Sequence, residues 1–163
     1  PVSVYGASKL AGEQFVRALC PQHWIVRACG LYGNNAAHGK GNFVKTILRL
    51  AKERPELRIV HDQRCTPTST ADLAGLLAAL VRTEDFGVYH ATNSGDCTWF
   101  EFAQEIIRIA GLNPQVIPIT SAEFGAKAQR PGYSVLCNEK VAAATGIRLR
   151  PWQEAVRDYL AHC

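Results

Sequence analysis

The sequence has 163 residues, of which 47% are hydrophobic and 20% charged, and its formal net charge is +4. This composition is typical of a globular chain long enough to bury one core, and it excludes an intrinsically disordered protein. The 18 Lys and Arg residues are spread along the chain, and no apolar run approaches the ~20 residues of a membrane span, so we expect neither a nucleic-acid partner nor a membrane anchor.

Helical and strand-like segments alternate along the chain. Apolar residues at helical spacing predict helices at 3–20, 43–54, 71–82, 99–110, 138–146 and 151–162. Short buried runs predict strands at 24–30, 57–60, 87–92 and 115–120. Two polar segments, 31–42 and 61–70, are predicted to be loops. The alternation indicates an α/β protein with mostly parallel strand pairing.

Several of the predicted helices carry recognisable end signals. Asn42, Thr70 and Thr98 stand where N-caps belong. Gly111 follows the fourth helix as a C-terminal glycine should, and Pro151 stands at a first-turn position of the last.

The chain has six cysteines, at positions 20, 29, 65, 97, 137 and 163. No CxxC pair and no HExxH motif is present, so the sequence predicts no metal site. The first 15 residues look like the start of an amphipathic helix rather than a secretory signal. We therefore expect a cytoplasmic protein whose thiols are reduced and mostly buried, with Cys163 exposed at the end of the chain.

The segment VSVYGASKLAGEQFV places Tyr5 and Lys9 four residues apart on one predicted helix. Residues at this spacing lie on the same face, and a nearby ammonium favours the phenolate, which makes the phenol a better acid at neutral pH. Such a pair can protonate a carbonyl while a hydride arrives from a nicotinamide. The same spacing also occurs in any amphipathic helix, here one with Leu10, Phe15, Val16 and Leu19 on its apolar side.

Motifs along the whole chain resemble one enzyme family. The segment YGASKLAGE resembles the region around the catalytic Tyr and Lys of the extended short-chain dehydrogenases/reductases. It is followed in order by WIVRACGLYG, GNFVKTILRLAKE, DQRCTPTSTADLA, GVYHATNSGDCTWFEFA and RPGYSVLCNEK. Together they are similar to the C-terminal half of the dTDP-4-dehydrorhamnose reductases, a family within that group.

The resemblance implies roles for five residues. Tyr5 would be the proton donor, and Lys9 would hold the nicotinamide ribose, so both would also contact NADPH or NADH. Gly30 occupies a position that is often tryptophan in this family and packs on the substrate. Asn42 could bind the nucleotide-sugar or simply cap its helix. Arg130 could bind the diphosphate, because a guanidinium matches its geometry, or could be a surface arginine.

Other polar and aromatic residues are expected to be structural. Arg27 could be a ligand or a packed arginine with its charge paired. We expect architectural roles, in the loops or the core, for Asp62, Gln63, Thr68, Trp99, Phe100, Phe102, His38, His61 and His90.

The resemblance implies an α/β fold made of the C-terminal part of a doubly wound, Rossmann-like parallel sheet plus a small substrate-binding domain. Residues 1–56 would end the nucleotide-binding domain and 57–163 would form most of the substrate-binding region, interleaved in one fragment. No GxxGxxG motif follows a strand, so the N-terminal dinucleotide-binding half is expected to be missing.

The implied activity is reduction of dTDP-4-dehydro-6-deoxy-L-mannose to dTDP-L-rhamnose with NAD(P)H, with this fragment inactive alone. Two alternatives stay open: a non-catalytic regulatory subunit related to the reductases, and another nucleotide-sugar reductase or epimerase of the extended group. A homodimer is kept as a candidate assembly.

Overall fold

The structure, a computed structural model, describes residues 1–34 and 41–162. The helices are α1 (Val4–Leu19), α2 (Phe43–Glu53), α3 (Thr70–Leu80), α4 (Trp99–Ile109), α5 (Ser121–Phe124), α6 (Glu139–Thr145) and α7 (Trp152–Ala161). The strands are β1 (Trp24–Arg27), β2 (Leu31–Tyr32), β3 (Glu56–Val60), β4 (Arg64–Cys65), β5 (Thr68–Ser69), β6 (Gly87–His90), β7 (Cys97–Thr98) and β8 (Gln115–Ile119).

The described strands associate in pairs, and most of the pairs are parallel. Strand β1 pairs with β6, β2 with β5, and β3 with β8, all in parallel, whereas β4 and β7 are antiparallel. Parallel strands need crossover connections, and helices supply them here. The predicted α/β fold with mostly parallel pairing is confirmed.

Two hydrophobic clusters hold the described chain together. The larger one lies between α2, α4, α7 and β3, and Phe102 is fully buried inside it, stacked on Phe43 with ring centroids 5.5 Å apart. The smaller one joins α3, α6 and β6 around Leu76, Leu80 and Tyr89.

Helix α1 forms where the sequence predicts it but packs differently from the expectation. Ser3 caps it by accepting a hydrogen bond from the Gly6 N–H at 3.1 Å. Within the described chain no residue of α1 is buried. The side chains predicted to be its apolar face are all exposed: Leu10, Phe15, Val16 and Leu19. The sequence predicts that this apolar face packs against the rest of the protein, but it is not buried by the described residues.

Further differences between the predicted and the observed secondary structure lie at helix ends and in short strands. Ser69, not Thr70, is the N-cap residue of α3, and Pro151 is at the N-cap of α7 rather than inside its first turn. The predicted strand 24–30 stops at Arg27, and Gly30 has a positive φ of +58°, which is not a strand conformation. Strands β2, β4 and β5 lie inside the two segments predicted to be loops.

Helix α5 is not among the predicted helices, although its start carries a clear signal. Thr120 and Glu123 form a capping box, each side chain accepting a hydrogen bond from the other's backbone N–H. The helix has only four residues, too few for a hydrophobic repeat to show.

The cysteines are less buried than predicted. Cys65 and Cys97 are buried, Cys29 is half-buried, and Cys20 and Cys137 are exposed. The predictions for His38 and Cys163 lie outside the described residues. Within residues 1–34 and 41–162 no helix is long and apolar enough to cross a membrane, and no group of three or more His, Cys, Asp or Glu side chains is placed to hold a metal ion.

Candidate active site

Tyr5 and Lys9 meet on one side of α1, as their spacing predicts. The Lys9 ammonium lies over the Tyr5 ring, 5.4 Å from its centroid. Tyr5 is in the first turn of the helix and is 72% exposed. In the described part of the chain neither the phenol oxygen nor Lys9 Nζ has a hydrogen-bond partner. Both groups are therefore placed to contact a bound molecule.

Tyr5 opens onto a groove of about 1030 Å³, which we call the Tyr5 groove. Gly30 and Arg130, two of the residues implied as substrate ligands, line it together with Tyr5. Its other wall residues are Pro1–Val4, Ala7, Ala28, Cys29, Gln63, Trp99, Lys127–Gln129, Pro131 and Ser134. The structure thus brings Tyr5, Gly30 and Arg130 to one cavity, although they lie far apart in the sequence.

Asn42 lies outside the Tyr5 groove. Its side-chain oxygen Oδ1 accepts a hydrogen bond from the Lys45 N–H at 3.0 Å, which caps α2 as predicted, and its side-chain NH₂ donates to Gly33 O at 2.8 Å and to the Tyr159 hydroxyl at 3.1 Å. Asn42 also lines a second groove of about 440 Å³, with Arg58 and Phe124 on its wall.

The two grooves share Gln63, Trp99 and Arg130. An extended ligand could therefore contact Tyr5 at one end and Asn42 at the other. Trp99 is the residue that the sequence interpretation missed. It is only half-buried, its ring centroid lies 4.7 Å from that of Phe43 in a tilted arrangement, and it lines both grooves. Its position as the first residue of α4, just after the Thr98 cap, was the available signal.

The loop residues expected to be architectural make contacts that fit this role. The Asp62 carboxylate accepts hydrogen bonds from the Ser121 N–H and hydroxyl, which fixes the start of α5 and lowers the pKa of Asp62. Gln63 donates to the Ser121 hydroxyl at 2.8 Å, and the Thr68 hydroxyl donates to Thr66 O at 3.2 Å.

The two possibilities for Arg27 are now distinguished by an ion pair. Its guanidinium donates to both carboxylate oxygens of Glu13, at 2.8 and 2.6 Å. This contact lowers the pKa of Glu13 and raises that of Arg27. Of the two possibilities, ligand or packed arginine with a paired charge, the structure therefore supports the second, and Arg27 lines neither the Tyr5 groove nor the second groove.

Comparison with known proteins agrees with this geometry. All of residues 1–163 match the family described as the RmlD substrate binding domain. The chain belongs to this family. It is 43% identical over 160 residues to the spore coat polysaccharide biosynthesis protein SpsK of Bacillus subtilis, covering 98% of this chain and 54% of that protein. It is 41% identical over 165 residues to a dTDP-4-dehydrorhamnose reductase of Streptomyces griseus, covering 97% and 53%.

Solved structures give the same result for this RmlD-family chain. A dTDP-4-dehydrorhamnose reductase from Bacillus anthracis in complex with NADP superimposes with a TM-score of 0.94 at 40% identity, over 100% of this chain and 57% of that one. A UDP-galactose 4-epimerase matches at 0.75 and 23% identity, which shows a common fold alone. The chain spans about half the length of the curated relatives it matches.

Gly30 stands at the position where the resemblance implies a tryptophan. Gly30 has φ +58°, and a Cβ atom added to it would lie 3.0 Å from both Thr66 O and Pro67 Cα. A side chain is therefore strained at this backbone conformation. Gly30 contributes no ring to the Tyr5 groove, and the aromatic side chains that line it are Tyr5 and Trp99.

Proposed function

We propose that this chain supplies the catalytic helix and the substrate-binding part of a reductase that converts dTDP-4-dehydro-6-deoxy-L-mannose to dTDP-L-rhamnose with NAD(P)H. The observation that carries the proposal is the Tyr5–Lys9 pair, in which the ammonium lies 5.4 Å from the Tyr5 ring centroid and Tyr5 lines a groove that Arg130 also lines. The names of the relatives support it, because several are dTDP-sugar ketoreductases.

Tyr5 is proposed to donate its phenolic proton to the oxygen of the substrate's 4-keto group. Lys9 assists because a positive charge near the phenol stabilises the phenolate that this transfer leaves behind. The high exposure of Tyr5 lets its phenol oxygen reach a ligand without any movement of α1.

NAD(P)H, when bound, supplies the hydride that attacks C4. The residues present fit such a cofactor, because Lys9 Nζ has no acceptor among residues 1–34 and 41–162 and can donate to a ribose hydroxyl. The sequence holds no GxxGxxG turn for the pyrophosphate. We therefore propose that most cofactor contacts come from the part of the relatives that this chain does not match, and that the chain alone is inactive.

The two grooves suggest how the nucleotide-sugar lies. We propose that the sugar occupies the Tyr5 groove beside Gly30 and Trp99, and that the nucleotide extends along the second groove toward Asn42. Arg130, at the junction, and Arg58, in the second groove, put positive charge where the diphosphate would run.

Gly30 favours a second candidate, reduction of a different dTDP-ketosugar. One relative, 38% identical, is a dTDP-4-keto-6-deoxy-D-glucose reductase of Streptomyces niveus. The resemblance implies a tryptophan at position 30, and the glycine that stands there contributes no ring to the groove around the sugar.

The test is a comparison of substrates with the full-length protein. NADPH consumption would be followed with dTDP-4-dehydro-6-deoxy-L-mannose and, separately, with dTDP-4-keto-6-deoxy-D-glucose. The proposal predicts the higher kcat/KM for the first compound. A higher value for the second would establish the alternative reductase, and no turnover of either compound, with the nucleotide-sugar still bound, would indicate a regulatory subunit.

We further propose a cytoplasmic location, a homodimer, and a division near residue 56 between the two interleaved regions. The larger hydrophobic cluster supports interleaving, because it combines Val44 and Ile47 with Leu57 and Phe102 from the other side of that boundary. Size-exclusion chromatography with light scattering on the full-length protein tests the dimer.

A further inference from the structure

Phe124 is an exposed aromatic residue on the wall of the second groove. It lines this groove but not the Tyr5 groove. It is 58% exposed and belongs to neither of the two hydrophobic clusters of the described chain. Phe43 and Trp99, the other described aromatic residues on the same wall, both pack against the larger cluster. Among these three residues, Phe124 is therefore the one whose ring is left available to a ligand.

The backbone that carries Phe124 is fixed by hydrogen bonds although the ring itself is exposed. Phe124 is the last residue of α5, whose first turn is held by its capping box and by the hydrogen bonds that Ser121 donates to the Asp62 carboxylate. Gly125 then ends the helix in the left-handed conformation, with φ +64°. A ring on a backbone that is already ordered loses little further freedom when a ligand stacks on it.

The charges along the second groove match the nucleoside end of a nucleoside diphosphate. Arg130 lies where the two grooves meet, and Arg58 lines the second groove together with Phe124. In the described part of the chain neither guanidinium has a hydrogen-bond or ion-pair partner, so both can bind phosphate oxygens. With the sugar in the Tyr5 groove and the diphosphate at Arg130, the part of the molecule that comes next along the second groove is the nucleoside.

We propose that Phe124 is the residue on which the nucleobase of the substrate stacks. This inference rests on the proposed function, because it takes the nucleotide-sugar to lie along both grooves. A base presents a flat aromatic face that stacks on a phenyl ring, whereas a phosphate or a ribose hydroxyl would need a polar partner that a phenyl ring does not supply. Phe124 thus holds the nucleoside end of the substrate while the 4-keto group lies at Tyr5.

Calorimetric titration of the full-length protein with two ligands, in the absence of NADPH, tests this role without requiring turnover. The ligands are dTDP and 2-deoxyribose 5-diphosphate, which lacks the base. Phe124→Ala should weaken dTDP binding by about 5- to 100-fold, the effect of losing one base–aromatic stack, and should change the affinity for 2-deoxyribose 5-diphosphate by no more than about twofold. Phe124→Tyr keeps the ring and should bind dTDP nearly as the wild type does.

Tyr133→Ala is the matched control, because this residue is 68% exposed and lines neither groove. It should bind both ligands as the wild type does. Since Phe124 is exposed, its replacement should leave the fold intact. Unchanged dTDP affinity in Phe124→Ala, or an equal loss of affinity for both ligands, would overturn the stacking role and leave the proposed reductase standing. Failure of the wild-type protein to bind dTDP would contradict the proposed function together with this inference.

Discussion

Glu13 and Arg27 join the helix that carries Tyr5 and Lys9 to strand β1 through a two-point ion pair. The Arg27 guanidinium donates to the two Glu13 carboxylate oxygens at 2.8 and 2.6 Å. Lys9 and Glu13 are four residues apart in α1, so the pair lies one turn beyond the candidate catalytic groups. Since no residue of α1 is buried within the described chain, this contact helps to set the position of the helix.

The first prediction concerns the dependence of stability on pH. Because Arg27 lowers the pKa of Glu13 in the folded state, the pair stabilises the fold above the unfolded carboxyl pKa of about 4.3. That stabilisation is lost as the pH falls through the lower folded-state value. Arg27 is 42% exposed, so solvent screening limits the contribution to about 0.2–1 kcal/mol.

Urea unfolding at a series of pH values between 3 and 6 measures this contribution. The difference in unfolding free energy between wild type and Glu13→Gln should shrink toward low pH. The exposed Glu56 provides the control. The difference in unfolding free energy between wild type and Glu56→Gln should change little with pH. A constant difference between wild type and Glu13→Gln across the range would show that the pair does not act in the way described.

The second prediction concerns the larger hydrophobic cluster. Phe102 is fully buried, against Tyr32, Phe43 and Trp152. Replacing it with alanine should lower the unfolding free energy by about 3–5 kcal/mol, because the cavity left behind adds to the lost burial. Phe124→Ala is the matched control: this ring is 58% exposed, and its loss should cost no more than about 0.5 kcal/mol. Equal losses of unfolding free energy in Phe102→Ala and Phe124→Ala would show that Phe102 does not belong to the core.

Local signals in the sequence were sufficient for the long elements. Helices α2 and α4 begin immediately after Asn42 and Thr98, as predicted, because each cap's side-chain oxygen accepts a hydrogen bond from a first-turn N–H. The two-residue strands β2, β4 and β5 could not be predicted in this way. Their pairing depends on residues distant in the chain, and two residues are too few to show a period of two.

The candidate site could be predicted only in part. The i,i+4 spacing correctly placed Tyr5 and Lys9 on one face, since that relation is local to a helix. The place of Trp99 on the walls of both grooves depends on tertiary packing, which no local pattern reports.

The third prediction concerns cofactor binding by residues 1–163 produced alone. They should bind NADPH weakly or not at all, because most dinucleotide contacts come from a Gly-rich turn and the helix N-terminus after it. Calorimetric titration measures the affinity, with the full-length protein as the positive control. Micromolar binding by residues 1–163 would mean that these residues hold a dinucleotide site that their sequence does not reveal.

The fourth prediction separates substrate binding from cofactor binding. Arg130→Ala in the full-length protein should raise KM for the dTDP-ketosugar by about 10- to 100-fold, the effect expected when a hydrogen bond to a charged group is lost. Affinity for NADPH should stay within about twofold. Arg82→Ala removes an exposed arginine that lines neither groove and should change neither quantity. An unchanged KM in Arg130→Ala would remove this residue from the substrate site.

The most direct test of the proposed mechanism is the comparison of Tyr5→Phe with Lys9→Ala in the full-length protein, measuring both turnover and NADPH affinity. Tyr5→Phe removes the proposed proton donor, so kcat should fall by about 10²–10⁴-fold with NADPH affinity nearly intact. Lys9→Ala should lower both, because Lys9 is assigned to the phenol and to the ribose. Turnover near the wild-type level in Tyr5→Phe would contradict the catalytic role of this helix and favour a regulatory subunit.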